Sequence, residues 1–130
     1  HRFVAATNNE HFAQIARGDR RFFVCEVSDV HKQDLKVPKN RPSAFIQGSS
    51  NLESLLRERG RDTLIVTGTL TNACCESSIR DAMALGFHNI IISDGTATRS
   101  DAEHNAALTN LFSMVAGVMT TEEVVTLLRG

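Results

Sequence analysis

Two short stretches of the chain are apolar almost without a break: TLIVTGTL at 63–70 and NIIISD at 89–94. A strand with one wet face alternates apolar and polar residues. A near-continuous run of this length belongs instead to a strand covered on both faces, as in a parallel sheet between helices. Parallel neighbours need a crossover, and the residues between the two runs supply one with helical spacing: Cys75, Ile79, Ala82 and Met83, with Glu76 and Arg80 four apart and Gly86 as the stop. Two further strands are expected, one in RFFVCEV (21–27) and one at the edge in GVMTT (117–121). The pattern predicts an α/β fold, a three-layer, doubly wound parallel sheet of Rossmann-like type.

The remaining helices have readable ends. Ser50 to Glu53, Ser100 to Glu103 and Thr120 to Glu123 each read as a capping box, a hydroxyl followed three residues later by a carboxylate. The first opens a helix with Leu52, Leu55 and Leu56 inward and Gly60 as its stop. The second carries an apolar stripe of Leu108, Leu111, Phe112 and Val115. The third starts a short terminal helix through Leu127 and Leu128, and NNEHFAQIARGD (8–19) reads as one more, with Phe12, Ile15 and Ala16 inward.

With 130 residues, 42% hydrophobic and 22% charged, the chain has enough material for a single core, and residues 1–130 are read as one domain. A net charge of −1 without a clustered basic face gives no footprint for nucleic acid. No apolar run reaches the length of a membrane span, and HRFVAATNNEHF lacks the apolar core of a signal peptide. The three cysteines are an odd number, two of them adjacent, which argues against a disulfide framework. A cytoplasmic location is the expectation.

The adjacent pair, Cys74 and Cys75, stands where the first apolar run gives way to a helix. In open α/β sheets ligands gather beyond the carboxyl ends of strands, where loops feed helix N-termini. A thiol in a first helical turn feels the partial positive charge of unpaired backbone N–H groups, which favours the thiolate, and the same amides can hold an oxyanion. Cys75 falls on the buried stripe with Ile79 and reads as a small core residue. Cys74 falls off that stripe, with Thr71 or Asn72 available as the helix N-cap.

The stretch TGTLTNACCESSIRDAMALGF, with VPKNRPSAF before it and IIISDGTAT after it, resembles the isochorismatase-like cysteine hydrolases over about residues 34–130. The family pattern runs roughly Gly-Val-x-Thr-x-x-Cys-Val-x-x-Thr-x-Arg-Asp-Ala. Gly68, Thr71, Cys74, Arg80, Asp81 and Ala82 match it in register, while Thr69, Cys75 and Ser78 depart from it. The resemblance implies that Cys74 is the nucleophile and that Lys39, with Ser43 and Phe45 four and six residues on, is the lysine of a catalytic triad. Lys36 lacks that spacing. It also implies a cis peptide at Thr69–Leu70 and an oxyanion hole from the Leu70 and Cys74 amides.

The family's third catalytic residue is an Asp at the end of the first strand, and the 38 residues before Lys39 contain no such pattern. One alignment sets Thr7 in that place. Another reads residues 11–27 as the first helix and second strand, with the first strand absent. Asp29 and Asp34 read as solvated loop acids. The expectation is a shortened N-terminal third.

Some amidases of the family hold a metal with one Asp and two His. Histidines 1, 11, 31, 88 and 104 form no such cluster, so no metal and no other cofactor is expected, and His88 and His104 read as surface residues. Asp94 reads as a structural turn at a strand end, RERGR (57–61) as a solvated helix end, and Arg41 and Phe45 as residues lining a substrate pocket. The resemblance implies hydrolysis of an amide or ureide bond of a small molecule through a Cys74 thioester. The alternative is a silent fold acting as a binding or assembly module. A homodimer or larger homo-oligomer is expected, since family members commonly assemble and the apolar edges need cover.

Overall fold

The computed structural model describes residues 3–6, 22–24 and 36–130. In chain order the elements are β1 (Phe3–Ala6), β2 (Phe22–Val24), β3 (Lys36–Pro38), α1 (Leu52–Glu58), β4 (Thr63–Thr69), a π-helical turn (Thr71–Cys75), α2 (Glu76–Ala84), β5 (His88–Ala97), α3 (Asp101–Met114), β6 (Gly117–Met119) and α4 (Thr121–Arg129). The helix expected at 8–19, Thr7, Cys25, Asp29 and Asp34 lie outside the described residues.

A four-stranded sheet in the order β1-β4-β5-β6 is parallel throughout, so the α/β expectation holds. Phe3 to Ala6 stand opposite Thr63 to Val66. The first strand is therefore present, which corrects the alignment that left it out. β2 does not join this sheet. It pairs antiparallel with β3, Phe22 opposite Pro38, and this small ribbon delivers the chain to Lys39.

Period-two alternation splits the two apolar runs between two cores. Leu64, Val66 and Ile91 face a larger cluster with Leu56 of α1, Cys75, Ile79 and Ala82 of the turn and α2, Phe87, and Leu111 of α3. Ile65 and Ile92 face the other way, onto Val124 of α4. Both faces of β4 are thus covered, as its composition requires.

Helix ends follow the sequence in two cases of three. Thr120 and Glu123 close a full capping box on α4, and the Ser100 hydroxyl accepts from the Glu103 N–H. At α1 the box does not form. Asn51 is the N-cap residue, while Ser50 donates to the Ala44 carbonyl at 2.7 Å and accepts from the Leu52 N–H at 3.1 Å. The hydroxyl is drawn away to fasten the preceding loop. Gly60 and Gly86, at φ of 61° and 86°, end α1 and α2 as expected. Glu76 and Arg80 pair at 2.8 Å.

Two helical faces are rotated from expectation. Phe112 is 70% exposed, because the inward side of α3 carries Ala107 and Leu111. Met83 is 42% exposed on α2, where Ser78 is buried in its stead and accepts from the Ala44 N–H at 3.1 Å. Periodicity marks an apolar stripe but cannot say which margin of it a neighbour covers. Replacing Ile79, fully buried in the larger cluster, with Ala is expected to cost ~2–5 kcal/mol in urea unfolding.

Candidate active site

β4 ends at Thr69, and the next peptide bond, Thr69–Leu70, is cis, in agreement with what the family pattern implied. Gly68 precedes it at φ 115°, a conformation that favours glycine, and the pairing of β4 with β5 shifts register between Val66 and Gly68. Leu70 is extended and serves as the N-cap of the π turn, its carbonyl accepting from the Ala73 and Cys75 N–H groups at 3.1 and 3.2 Å. Neither Thr71 nor Asn72 caps the helix, which corrects the sequence expectation. Both lie inside the turn, and their side chains are engaged elsewhere.

The wide turn separates the two cysteines. Cys75 is 2% exposed, with its thiol directed at the Thr67 carbonyl. Cys74 is only half-buried. Burial pushes the Cys75 thiol up from 9.0 to about 12, the charge of a Cys74 thiolate pushes the same way, and the Lys39 ammonium opposes both. That last effect brings the charge of Lys39, 36 positions upstream, to the Cys75 thiol.

Lys39 is 6% exposed directly after β3. Among the described residues its Nζ donates to the carbonyls of Arg41 and Pro42 at 2.9 and 3.0 Å, using two of its three protons. Serines fix the loop that carries it. Ser49 donates to the Ser43 carbonyl at 2.6 Å, Ser43 accepts from the Phe45 N–H, and Ser78 ties Ala44 to α2. Arg41 is exposed beside this loop. Phe45 sits with Phe87, ring centroids 5.5 Å apart, at the margin of the larger core.

Asp94 is structural, as expected from the sequence, though it lies within β5 and not at its end. Asp94 accepts from the Thr121 N–H and hydroxyl at 2.8 and 2.9 Å, so it anchors the start of α4 to β5, and these bonds hold its carboxyl below the usual range. His104 is not a surface residue. It is half-buried, with Nδ1 2.9 Å from the Thr71 hydroxyl and Nε2 3.1 Å from the Ser93 carbonyl. The signal was available: His104, Ala107, Leu108 and Leu111 fall at helical spacing on one face. Among the described residues no three His, Cys, Asp or Glu side chains converge as a metal site would require, and no helix is long and apolar enough to cross a membrane.

The fold is a parallel α/β sheet with a half-buried cysteine on the turn leaving a central strand, the place where such sheets gather ligands. The chain belongs to the isochorismatase family: the isochorismatase domain matches residues 5–123. It is 40% identical to the isochorismatase family protein YwoC of Bacillus subtilis over 78% of its own length and 52% of that protein. It is 35% identical to the ureidoacrylate amidohydrolase RutB of Agrobacterium fabrum over 63% of its own length and 35% of RutB. Among solved structures, a cysteine hydrolase from Pseudomonas syringae pv. phaseolicola superposes with a TM-score of 0.69 at 33% identity, covering 78% of this chain and 54% of that one. The chain thus spans about half the length, or less, of these relatives.

The raised thiol of Cys75 has a consequence for stability. A group whose folded value lies above its unfolded one favours the folded state fully below the unfolded value and loses that contribution as pH rises through the folded value. Stability should therefore decline between pH 9.0 and about 12 on account of Cys75. Urea titrations across that window should show a shallower decline in Cys75→Ala than in the unaltered protein.

Proposed function

We propose that this chain is a cysteine hydrolase that cleaves an amide or ureide bond of a small molecule. The observation that carries the reading is the placement of half-buried Cys74 on the turn leaving β4, with the charge of buried Lys39 felt at the adjacent Cys75 thiol. Membership of a family that includes the amidohydrolase RutB supports it.

In this reading the Cys74 thiolate attacks the substrate carbonyl carbon, and the carbonyl π pair moves onto oxygen. The Leu70 and Cys74 amides receive that oxyanion, as donors fixed in advance of the charge they stabilise. The third proton of Lys39 faces the thiolate before attack and the departing nitrogen after it. At collapse of the tetrahedral adduct Lys39 gives that proton to the departing nitrogen, the C–N bond breaks, ammonia or an amine leaves, and a Cys74 thioester remains beside a neutral Lys39 amine. Water then adds to the thioester carbonyl and releases the acid and the thiol. Arg41, exposed beside the Lys39 loop, suits an anionic group at the rim of the site. Phe45 supports the loop through its contact with Phe87.

Ammonia release across a panel of primary amides and ureides tests the reading. Cys74→Ala should abolish release, Cys75→Ala should retain it, and Lys39→Met should lower it by ~10²–10⁴, the range of a lost acid–base group. Intact-mass analysis at early times should show an acyl adduct on Cys74. Release that survives Cys74→Ala would defeat the proposed nucleophile, and silence across the panel would favour the binding-module alternative.

We also propose self-association. Phe112 and Met114 of α3, 70% and 84% exposed, and Leu127 and Leu128 of α4 leave apolar surface that a second copy would cover. Light scattering should give at least twice the 14.3 kDa chain mass, and a monomer at micromolar concentration would refute it.

A further inference from the structure

The π turn that carries Cys74 is held from outside at its two leading residues. Asn72 accepts from the Thr98 hydroxyl at 2.6 Å, just past the end of β5. Thr71, fully buried, meets Nδ1 of His104 at 2.9 Å. The other ring nitrogen of His104 lies 3.1 Å from the Ser93 carbonyl. One imidazole therefore joins three elements: the first turn of α3, the middle of β5, and the start of the turn that presents the thiol.

The donor and acceptor roles in this chain of bonds are decided by elementary chemistry. A carbonyl oxygen only accepts, so Nε2 carries a proton and donates to Ser93. In the neutral ring Nδ1 is then bare and accepts from the Thr71 hydroxyl. Thr71 is buried, so a lost partner there would leave a polar group without water to replace it. The arrangement thus ties the backbone at Thr71, three residues before Cys74, to the sheet by a path that does not run through the chain between them.

We infer that His104, as its Nε2–H tautomer, is a positioning residue that acts through Thr71 to hold the Cys74 turn in register with Lys39. The inference rests on the reading of Cys74 as the nucleophile. His104 takes no part in bond making. Its effect falls on the placement of the Cys74 thiol and amide, and so on the rate of any reaction at that sulfur.

The rate of Cys74 alkylation by iodoacetamide, resolved from that of Cys75 by peptide mass spectrometry, tests this without a substrate. Thr71→Val keeps the volume and removes the hydroxyl, and Thr71→Ser restores it. His104→Asn keeps an amide oxygen near the place of Nδ1, while His104→Gln keeps only the donor near Nε2. Thr71→Val and His104→Gln should each slow Cys74 by about three- to tenfold, the rate equivalent of one hydrogen bond. Thr71→Ser and His104→Asn should recover most of the rate, and the Thr71→Val/His104→Gln pair should be no slower than either alone. In the unaltered protein, ¹⁵N imidazole shifts should report a bare Nδ1 and a protonated Nε2, independent of any variant's folding. A protonated Nδ1, additive losses, or equal rates in the Asn and Gln variants would overturn the inference. If Cys74 in the unaltered protein reacts no faster than Cys75, the nucleophile reading itself fails. A fast Cys74 indifferent to both substitutions would refute the role of His104 alone.

Discussion

Parallel pairing of β4 on both of its edges, with a core on each of its faces, governs the rest of the molecule. A backbone so enclosed must satisfy its N–H and C=O groups in the ladder, and its side chains must be apolar in both directions. That requirement ends only where the ladder ends, at Thr69. The chain emerges there next to the sheet's carboxyl edge, and the cis bond, the extended Leu70 and the wide π turn all occupy the next six residues. The position of Cys74 is thus a product of where a buried strand is allowed to stop.

Once Cys74 is placed, burial separates it from its neighbour. The turn directs Cys75 under β4, where desolvation keeps its thiol neutral, and leaves Cys74 half-buried. Two adjacent residues of identical chemistry thereby acquire different properties. Lys39 reaches this place by a loop whose shape depends on small hydroxyl side chains, Ser43, Ser49, Ser50 and Ser78, each bonded to backbone. A buried ammonium is costly unless its protons find acceptors, and the Arg41 and Pro42 carbonyls meet that need within the same loop.

The far side of the turn is organised by longer connections. Asp94 fastens α4 to β5, and His104 fastens α3 to both β5 and the turn. These contacts explain why polar residues persist on surfaces that the hydrophobic pattern alone would have left apolar.

The class of fold, the two buried strands, the helix stops at Gly60 and Gly86 and the position of the cysteine turn were all legible in the chain, because each depends on local periodicity or on a residue's own backbone freedom. The contrast between Cys74 and Cys75 was legible for the same reason, since one lies on the apolar stripe and one does not. Tertiary structure alone decided what depends on a partner distant in sequence. Ser78 is buried because it accepts from the Ala44 N–H, 34 positions away, and Phe112 is exposed because its margin of α3 meets no neighbour among the described residues. The pairing of His104 with Thr71 belongs to the same kind. Local sequence records which faces are apolar, but a hydrogen bond between residues more than thirty positions apart is set by packing geometry that no short window contains.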